Sequence, residues 1–220
     1  MVRINVLEEE MRSKQTHLFE VGHQALRDLR TELTARQVQI DPKLELRAGE
    51  ALLCYYSLAD GHIYLSAPDP ELPRGKFELL FYRSVLNLDN NDAVVRFLEL
   101  LIPWLVAHEV GHHLRHRYGR FGSNLAEEEQ IANQLAAAFV KPRLTHAEKH
   151  ELQAALARAL TCLSRNMATE RHPASPHPAH GLIRHVYTHA TYVYRDLTAP
   201  EGLSIAEFAC LHLRTQSDSC

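Results

Sequence analysis

Cysteine is sparse and unpatterned in this chain. Cys54, Cys162, Cys210 and Cys220 are dispersed and form no C-x-x-C spacing, so no disulfide framework is legible and the expectation is four buried or surface thiols in a reducing compartment. Excess positive charge is also missing. With 24 Lys and Arg against 27 Asp and Glu, the net charge of −3 provides no basic footprint and argues against nucleic-acid binding. Apolar runs are short: the longest are interrupted by Glu99 and Pro103 and fall well below the roughly 20 residues of a membrane span. Residues 8–14 are charged and no apolar segment follows Met1, so no signal peptide is expected and the expected location is the cytoplasm. There is no internal repeat and no low-complexity tract. At 220 residues and 45% hydrophobic, the chain has enough apolar material for one domain, 1–220, with a helical extension.

Histidine, by contrast, is abundant, at 15 residues, and five consecutive positions, His108-Glu109-Val110-Gly111-His112, spell H-E-x-x-H. Chance alone gives such a match in roughly one chain in ten of this composition, so its surroundings decide its weight. The run from Val94 to Val106 is nearly all apolar, as in a helix buried mid-domain. On that helix His108 and His112 stack on one face and can share a metal ion about 2.0–2.1 Å from each nitrogen. Glu109 then stands beside the metal, where it can take a proton from a metal-activated water as general base. Gly111 opens the helix surface to a close neighbour, a better reason for a mid-helix glycine than propensity, which disfavours it by about 1 kcal/mol relative to alanine. His113 and His116 point away from the metal face and are expected on the solvent side.

A second helix begins after Gly122, where Asn124 and Glu127 have capping-box spacing, and it ends before Pro142. Residues at 100° intervals place Leu125, Glu128, Glu129, Ala132, Leu135, Ala136 and Phe139 on one face, with Ile131 and Gln134 directed elsewhere. An acid on that face needs a partner. Glu129 is expected as third metal ligand, since Ala132 and Ala136 let the helices approach; Glu128, on the other flank, is its competitor. Asn133, one turn on, is placed to hydrogen-bond a ligand.

His108-Glu109-Val110-Gly111-His112 followed by Glu129-Gln130-Ile131-Ala132-Asn133-Gln134-Leu135-Ala136 resembles the H-E-x-G-H plus E-x-x-A-[ND]-x-x-A pattern of gluzincin-type metallopeptidases. The likeness is to ImmA/IrrE-type and Lit-type phage-exclusion peptidases and to the soluble core of HtpX-like peptidases, over about residues 50–142. It implies Zn2+ as cofactor, Glu129 as third zinc ligand, and one or a few intracellular proteins as substrates. It also implies that Tyr55 to Ser66 form an edge hairpin beside the cleft; Asp60-Gly61 independently signals a type I′ turn there. Ser175-Pro176-His177-Pro178 with Arg184 is similar to the S-x-H-P…R element of the HtpX-like and Lit-like groups, in which the histidine can stabilise the transition state. His172-Pro173 is a competing match.

The remaining pattern predicts an N-terminal helix over 5–36 within a segment 1–40, strands at 43–47, 51–58 and 62–66, and a proline-rich loop from Pro68 to Pro73. The active-site helix is expected over 92–118, kinked or restarted at Pro103. A helix from Thr145, boxed by Glu148, runs to about Met167, and helices at 181–197 and 204–215 close the C-terminal part, 143–220. The expected fold is α+β, a mostly helical zincin-like domain whose core, 41–142, sets a small antiparallel sheet beside the H-E-x-x-H helix. The expected function is a zinc-dependent endopeptidase acting on protein or peptide, with the exposed strand at 62–66 pairing with substrate. The alternatives are a non-proteolytic zinc-binding regulatory domain and a metal-dependent enzyme acting on a non-peptide.

Overall fold

The computed structural model of the chain describes residues 2–50, 54–69, 71–169, 179–200 and 202–213, with side chains from residue 15 onward except at 166, 168–169, 179–180 and 182. The elements run α1 (Val2–Ala35), β1 (Leu46–Ala48), β2 (Cys54–Tyr56), β3 (Ile63–Leu65), α2 (Pro73–Leu86), α3 (Asn91–Arg117), α4 (Leu125–Val140), α5 (His146–Thr169), α6 (Ala179–Thr198) and α7 (Ile205–His212). The architecture is α+β and mostly helical, as the apolar periodicity predicts. Helix α3 is its axis: α1, α2, α4, α5, β2 and β3 all pack on it. That position follows from its sequence, because Val94, Leu98, Leu101, Ile102, Trp104, Val106 and Val110 surround most of its circumference and are buried, leaving a narrow stripe at Arg96, Glu99 and Pro103 partly exposed. The helix runs unbroken through Pro103.

Helix ends form where side chains can satisfy free backbone groups. Asn90 caps α3 by accepting from the Ala93 amide at 2.9 Å, and Thr145 and Glu148 make the reciprocal bonds of a capping box before α5. At α4 only half of the expected box is present: Asn124 Oδ1 accepts from the Glu127 amide at 3.4 Å. Pro73 proves to be helical. It occupies the first turn of α2, where its missing N–H has no bond to lose, and the helix it starts is absent from the sequence expectations.

The sheet departs from expectation in topology. Its order is β1-β3-β2, with β3 parallel to β1 and antiparallel to β2, so it is mixed rather than antiparallel. Consequently β3 is central and paired on both sides, and residues 62–66 offer no edge to a substrate. The β2–β3 loop is longer than a two-residue type I′ turn. Ser57 and His62 close it with a 2.9 Å bond, the Gly61 amide reaches back to the Ser57 carbonyl, and only Gly61 adopts positive φ, at 75°. Beyond β3, the buried Glu78 of α2 accepts from Ser66 and Arg74, which ties α2 to the sheet.

Helix α4 also rotates slightly from its expected phase. Leu125 is 68% exposed and Ile131 only 6%, because α6 and α7 cover a second face of α4 that a lone amphipathic stripe does not anticipate. Cys210 is disulfide-bonded, against the expectation of four thiols, whereas Cys54 and Cys162 are free. Among the described residues, no helix is long and apolar enough to cross a membrane.

The α3–α4 crossing is close at one point. A Cβ added to Gly111 would stand 2.9 Å from Cα and 3.2 Å from Cβ of Ala132. Backbone must move to accept it, so Gly111→Ala is expected to lose about 1–3 kcal/mol, more than the gain in helix propensity of about 1 kcal/mol. Urea unfolding monitored by circular dichroism measures this; a midpoint at or above that of the unmodified chain shows that the crossing tolerates a methyl group.

Candidate metal centre

That crossing gathers the chemistry-bearing residues. His108 and His112, one turn apart on α3, bring their Nε2 atoms to 3.1 Å, and from α4 the carboxylate of Glu129 meets both, Oε2 at 3.2 Å from His108 Nε2 and Oε1 at 3.4 Å from His112 Nε2. For a tetrahedral ion with bonds of about 2.0–2.1 Å, ligand atoms stand about 3.3–3.4 Å apart, and the three contacts, with the carboxylate turning one oxygen to each histidine, are close to that spacing. The donor chemistry agrees. Nitrogen lone pairs and carboxylate oxygens pointed at one another in a buried pocket are satisfied by a proton or by a metal cation between them. Glu129 Oε2 is buried without a hydrogen-bond partner, as is the far nitrogen of His112, Nδ1. The residues therefore fit a metal ion.

Glu128, the competing acid, faces the other way. It is buried against Arg115, with Oε1 2.6 Å from Nη2, and also accepts from the Gly122 amide at 2.8 Å. Glu127 is exposed. Asn133 is buried as a connector: its Nδ2 donates to the Glu129 carbonyl at 2.8 Å, and its Oδ1 accepts from the Trp104 indole at 3.0 Å. The single tryptophan, read from sequence only as core, thus anchors the turn that carries Glu129.

Glu109 is buried beside the histidines: a carboxylate oxygen of Glu109 and a ring nitrogen each of His108 and His112 lie within 4.8 Å of one another, and its Oε2 accepts from the Tyr56 amide of β2 at 2.8 Å. Burial raises its pKa above the ordinary carboxyl range; His108, His112 and the Tyr56 amide reduce that rise without cancelling it. Glu129 behaves oppositely. Burial opposes its charge, yet the imidazoles of His108 and His112 close against its two oxygens hold it well below the usual carboxylate range. Burial likewise opposes a proton on His108, and Glu129, Glu109 and Asn133 together outweigh it, so its pKa is raised.

Two other histidines are placed differently from expectation. His113 is buried, not solvent-side: its Nε2 accepts from the Asp41 amide and its Nδ1 lies 3.4 Å from the Tyr56 hydroxyl, and burial together with the nearby Arg117 pushes its pKa down to about 4. His116 is exposed, its Nδ1 3.2 Å from the same hydroxyl. His177 and His172 lie outside the described residues. Arg184 is exposed on α6 and is not brought to the cluster.

The histidine that α6 does bring is His189, which the sequence reading omits. Its Nδ1 is 3.7 Å from Glu129 Oε2, its ring meets His108 edge-on at 5.8 Å, and His108, Glu129 and His189 each offer a ligand atom within 4.8 Å of the others. Burial lowers its pKa to about 4. A signal was available: His185 and His189, like His146 and His150, form a further i, i+4 histidine pair on a helix, with rings 4.2 Å apart for His185 and His189.

No protein-family model matches the chain, and no curated protein or solved structure matches it. The site's own geometry therefore carries the functional argument.

The two acids separate cleanly by experiment. Glu129→Ala is expected to lower zinc affinity at least a hundredfold with the fold retained. Glu128→Ala is expected to keep zinc while losing about 3–5 kcal/mol of stability, because Arg115 is left buried without its partner. Zinc content after dialysis and thermal unfolding read the two effects; a zinc-free Glu128→Ala beside a zinc-loaded Glu129→Ala reverses the assignment.

Proposed function

We propose that the chain is a zinc-dependent endopeptidase acting on protein or peptide, with His108, His112 and Glu129 holding the metal and Glu109 as general base. The observation that supports it most is the convergence of three donors at 3.1–3.4 Å with a fourth group, Glu109, buried alongside and bonded to the Tyr56 amide. Zinc bound by two histidines and a carboxylate lowers the pKa of a coordinated water toward about 7 and polarises a carbonyl oxygen.

The protein's own groups supply the rest. Tyr56 N–H fixes Glu109 Oε2, leaving Oε1 for the proton that the attacking water must lose. A base competes better for that proton when its pKa stands above the ordinary carboxyl range, as burial makes it here. Glu109 then returns the proton to the leaving amine. An extended substrate has a place on β2, whose outer edge is unpaired among the described residues and is the edge that meets Glu109. Main-chain bonds there set the backbone beside the base.

One observation favours a second reading, a metal held for structure or regulation without hydrolysis. His189 is near enough to be considered as a fourth protein ligand, and a site closed by four protein ligands has no position for a water. Its 3.7 Å separation from Glu129 exceeds the other three edges, which favours the open site.

Glu109→Gln distinguishes the two. The amide is nearly isosteric but takes no proton, so the variant is expected to retain zinc and the fold while losing at least a hundredfold in turnover, and chelation of zinc is expected to abolish cleavage by the unmodified protein. Mass spectrometry of a lysate-derived peptide mixture, paired with elemental analysis, makes the comparison. Equal cleavage by Glu109→Gln, or loss of its zinc, overturns the assigned role.

A further inference from the structure

Between α2 and α5 lies an open pocket with about 500 Å³ of accessible space, whose walls include Ser84, Asn87, Arg158, Thr161, Cys162 and Arg165. No acidic side chain lines it, and neither helix carries a residue of the candidate centre. Elsewhere guanidinium groups lie against carboxylates, Arg74 on Glu78, Arg115 on Glu128 and Arg117 on Asp41. Arg158 and Arg165 are exposed, and neither meets a carboxylate among the described residues. Seven residues apart on α5, they project from one face, about 10 Å from each other along the axis. Arg158 Nε donates to the Leu86 carbonyl at 3.2 Å, which holds that side chain against the end of α2. One N–H there serves the helix C-terminus; Arg165 makes no such bond among the described residues, so capping does not account for it. From α2 come Ser84, in its last turn, and Asn87, its C-cap, whose hydroxyl and amide also have no protein partner among the described residues. The exposed face of α2 continues away from the pocket through Leu80 and Phe77, flanked by Lys76 and again without an acid.

We propose that this pocket binds a phosphate group, with Arg158 and Arg165 gripping its oxygens and Ser84 and Asn87 completing the contact. The inference is independent of the peptidase reading. A phosphate ester seated between the two arginines turns a pair of unpartnered cations into charge-assisted bonds, which are shorter and about twice as strong as neutral ones. The number of oxygens also matters. A carboxylate has two and fills one guanidinium fork, whereas a phosphate ester has three terminal oxygens and serves both forks at once. A cationic ligand finds no opposite charge in these walls. Phosphate esters exist free in solution and as lipid headgroups, and both present the same group to the arginines. Leu80 and Phe77, one and two turns along α2 from Ser84, supply exposed apolar surface of the kind that enters the acyl boundary beside a lipid headgroup.

Two measurements on the full chain separate the sources. Calorimetric titration with glycerol 3-phosphate, against acetate at equal ionic strength, reads the soluble one. Co-sedimentation with phosphatidylcholine vesicles, with and without phosphatidic acid, reads the lipid one. At least one phosphate-bearing probe is expected to bind at least tenfold better than its control, and Arg165→Ala to remove at least tenfold of that affinity. Arg158→Lys, which keeps the charge and loses the fork, is expected to weaken binding as well, whereas Arg184→Ala, at an exposed arginine on α6, is expected to leave it unchanged. Arg165 makes no bond within the described fold, so its variant decides even if changes at Arg158 disturb the end of α2; circular dichroism checks both. Vesicle binding that is lost in the double variant Phe77→Ser and Leu80→Ser assigns a lipid headgroup. Glycerol 3-phosphate binding that the double variant retains, with no preference for phosphatidic acid, assigns a soluble ester. No preference for phosphate by either measurement, or a preference that survives Arg165→Ala or falls equally in Arg184→Ala, overturns the site.

Discussion

Everything at the candidate centre depends on how nearly α4 can approach α3. A carboxylate on a side chain of three rotatable bonds has limited reach, and Glu129 meets two imidazoles at 3.2 and 3.4 Å only because Gly111 lets the α4 backbone come to Ala132 without an intervening Cβ. Helix axes ordinarily stand 8–10 Å apart, the separation being fixed by the side chains between them, so removing one at the crossing is the direct way to shorten it. The crossing is then locked from both sides. Trp104 donates to Asn133 one turn before the histidines, and Arg115 pairs with Glu128 one turn after them. Glu129 lies between these two ties, its turn held by Asn133 through the carbonyl.

The same crossing explains which parts of the structure could be read from the sequence. H-E-x-x-H, a glycine between the ligands and two alanines facing it are local signals on long helices, where a period of 3.6 fixes direction, and α3, α4 and α5 fall close to their expected bounds. Three-residue strands carry no such information. Whether β1 pairs with β3 or β2 is settled by long-range bonds such as the Ile63 amide to Glu45 and the Gly49 amide to Leu65, so the mixed order was hidden. Leu125 and Ile131 exchanged places because helical phase predicts one buried face, and α4 is covered on two. His113 differs from its expectation because β2 and the segment at Asp41 cover that side of α3, Tyr56 and the Asp41 amide both reaching its ring. His189 is hidden from a motif-led reading because the family-like element lies in the proline-flanked segment before α6, although its i, i+4 spacing to His185 is that of His108 and His112 on α3.

Such a polar layer inside an apolar axis is costly unless each group has a partner. Most here do: Glu109 has the Tyr56 amide, His113 the Asp41 amide, Asn133 the indole of Trp104. The exceptions at the centre are Glu129 Oε2 and His112 Nδ1. A buried polar atom left without a partner costs about 1–3 kcal/mol, and Glu129 Oε2 lies on the one face where a cation would meet three donors at once. A ligand that binds only the folded chain stabilises it in proportion to its saturation, so a cation there would offset the burial of the groups that hold it.

Tyr56 links this layer to the surface on which a substrate would lie. Its amide holds Glu109, while its hydroxyl stands between His113 and His116, at 3.4 and 3.2 Å, so β2 is tied to α3 through both backbone and side chain. The edge of β2 is accordingly not a strand that swings toward its partner; it is fixed relative to the residue that would take the proton. Fixing both in advance matters because a misplacement of about 1 Å between reacting groups can cost a hundredfold in rate. The hairpin loop from Ser57 to His62 can vary in sequence at small cost to that alignment, since the ties to α3 come from Tyr56 itself and not from the loop. In this arrangement strand position and base position are one variable, set by a single tyrosine whose two polar ends both rest on the helix that carries the histidines.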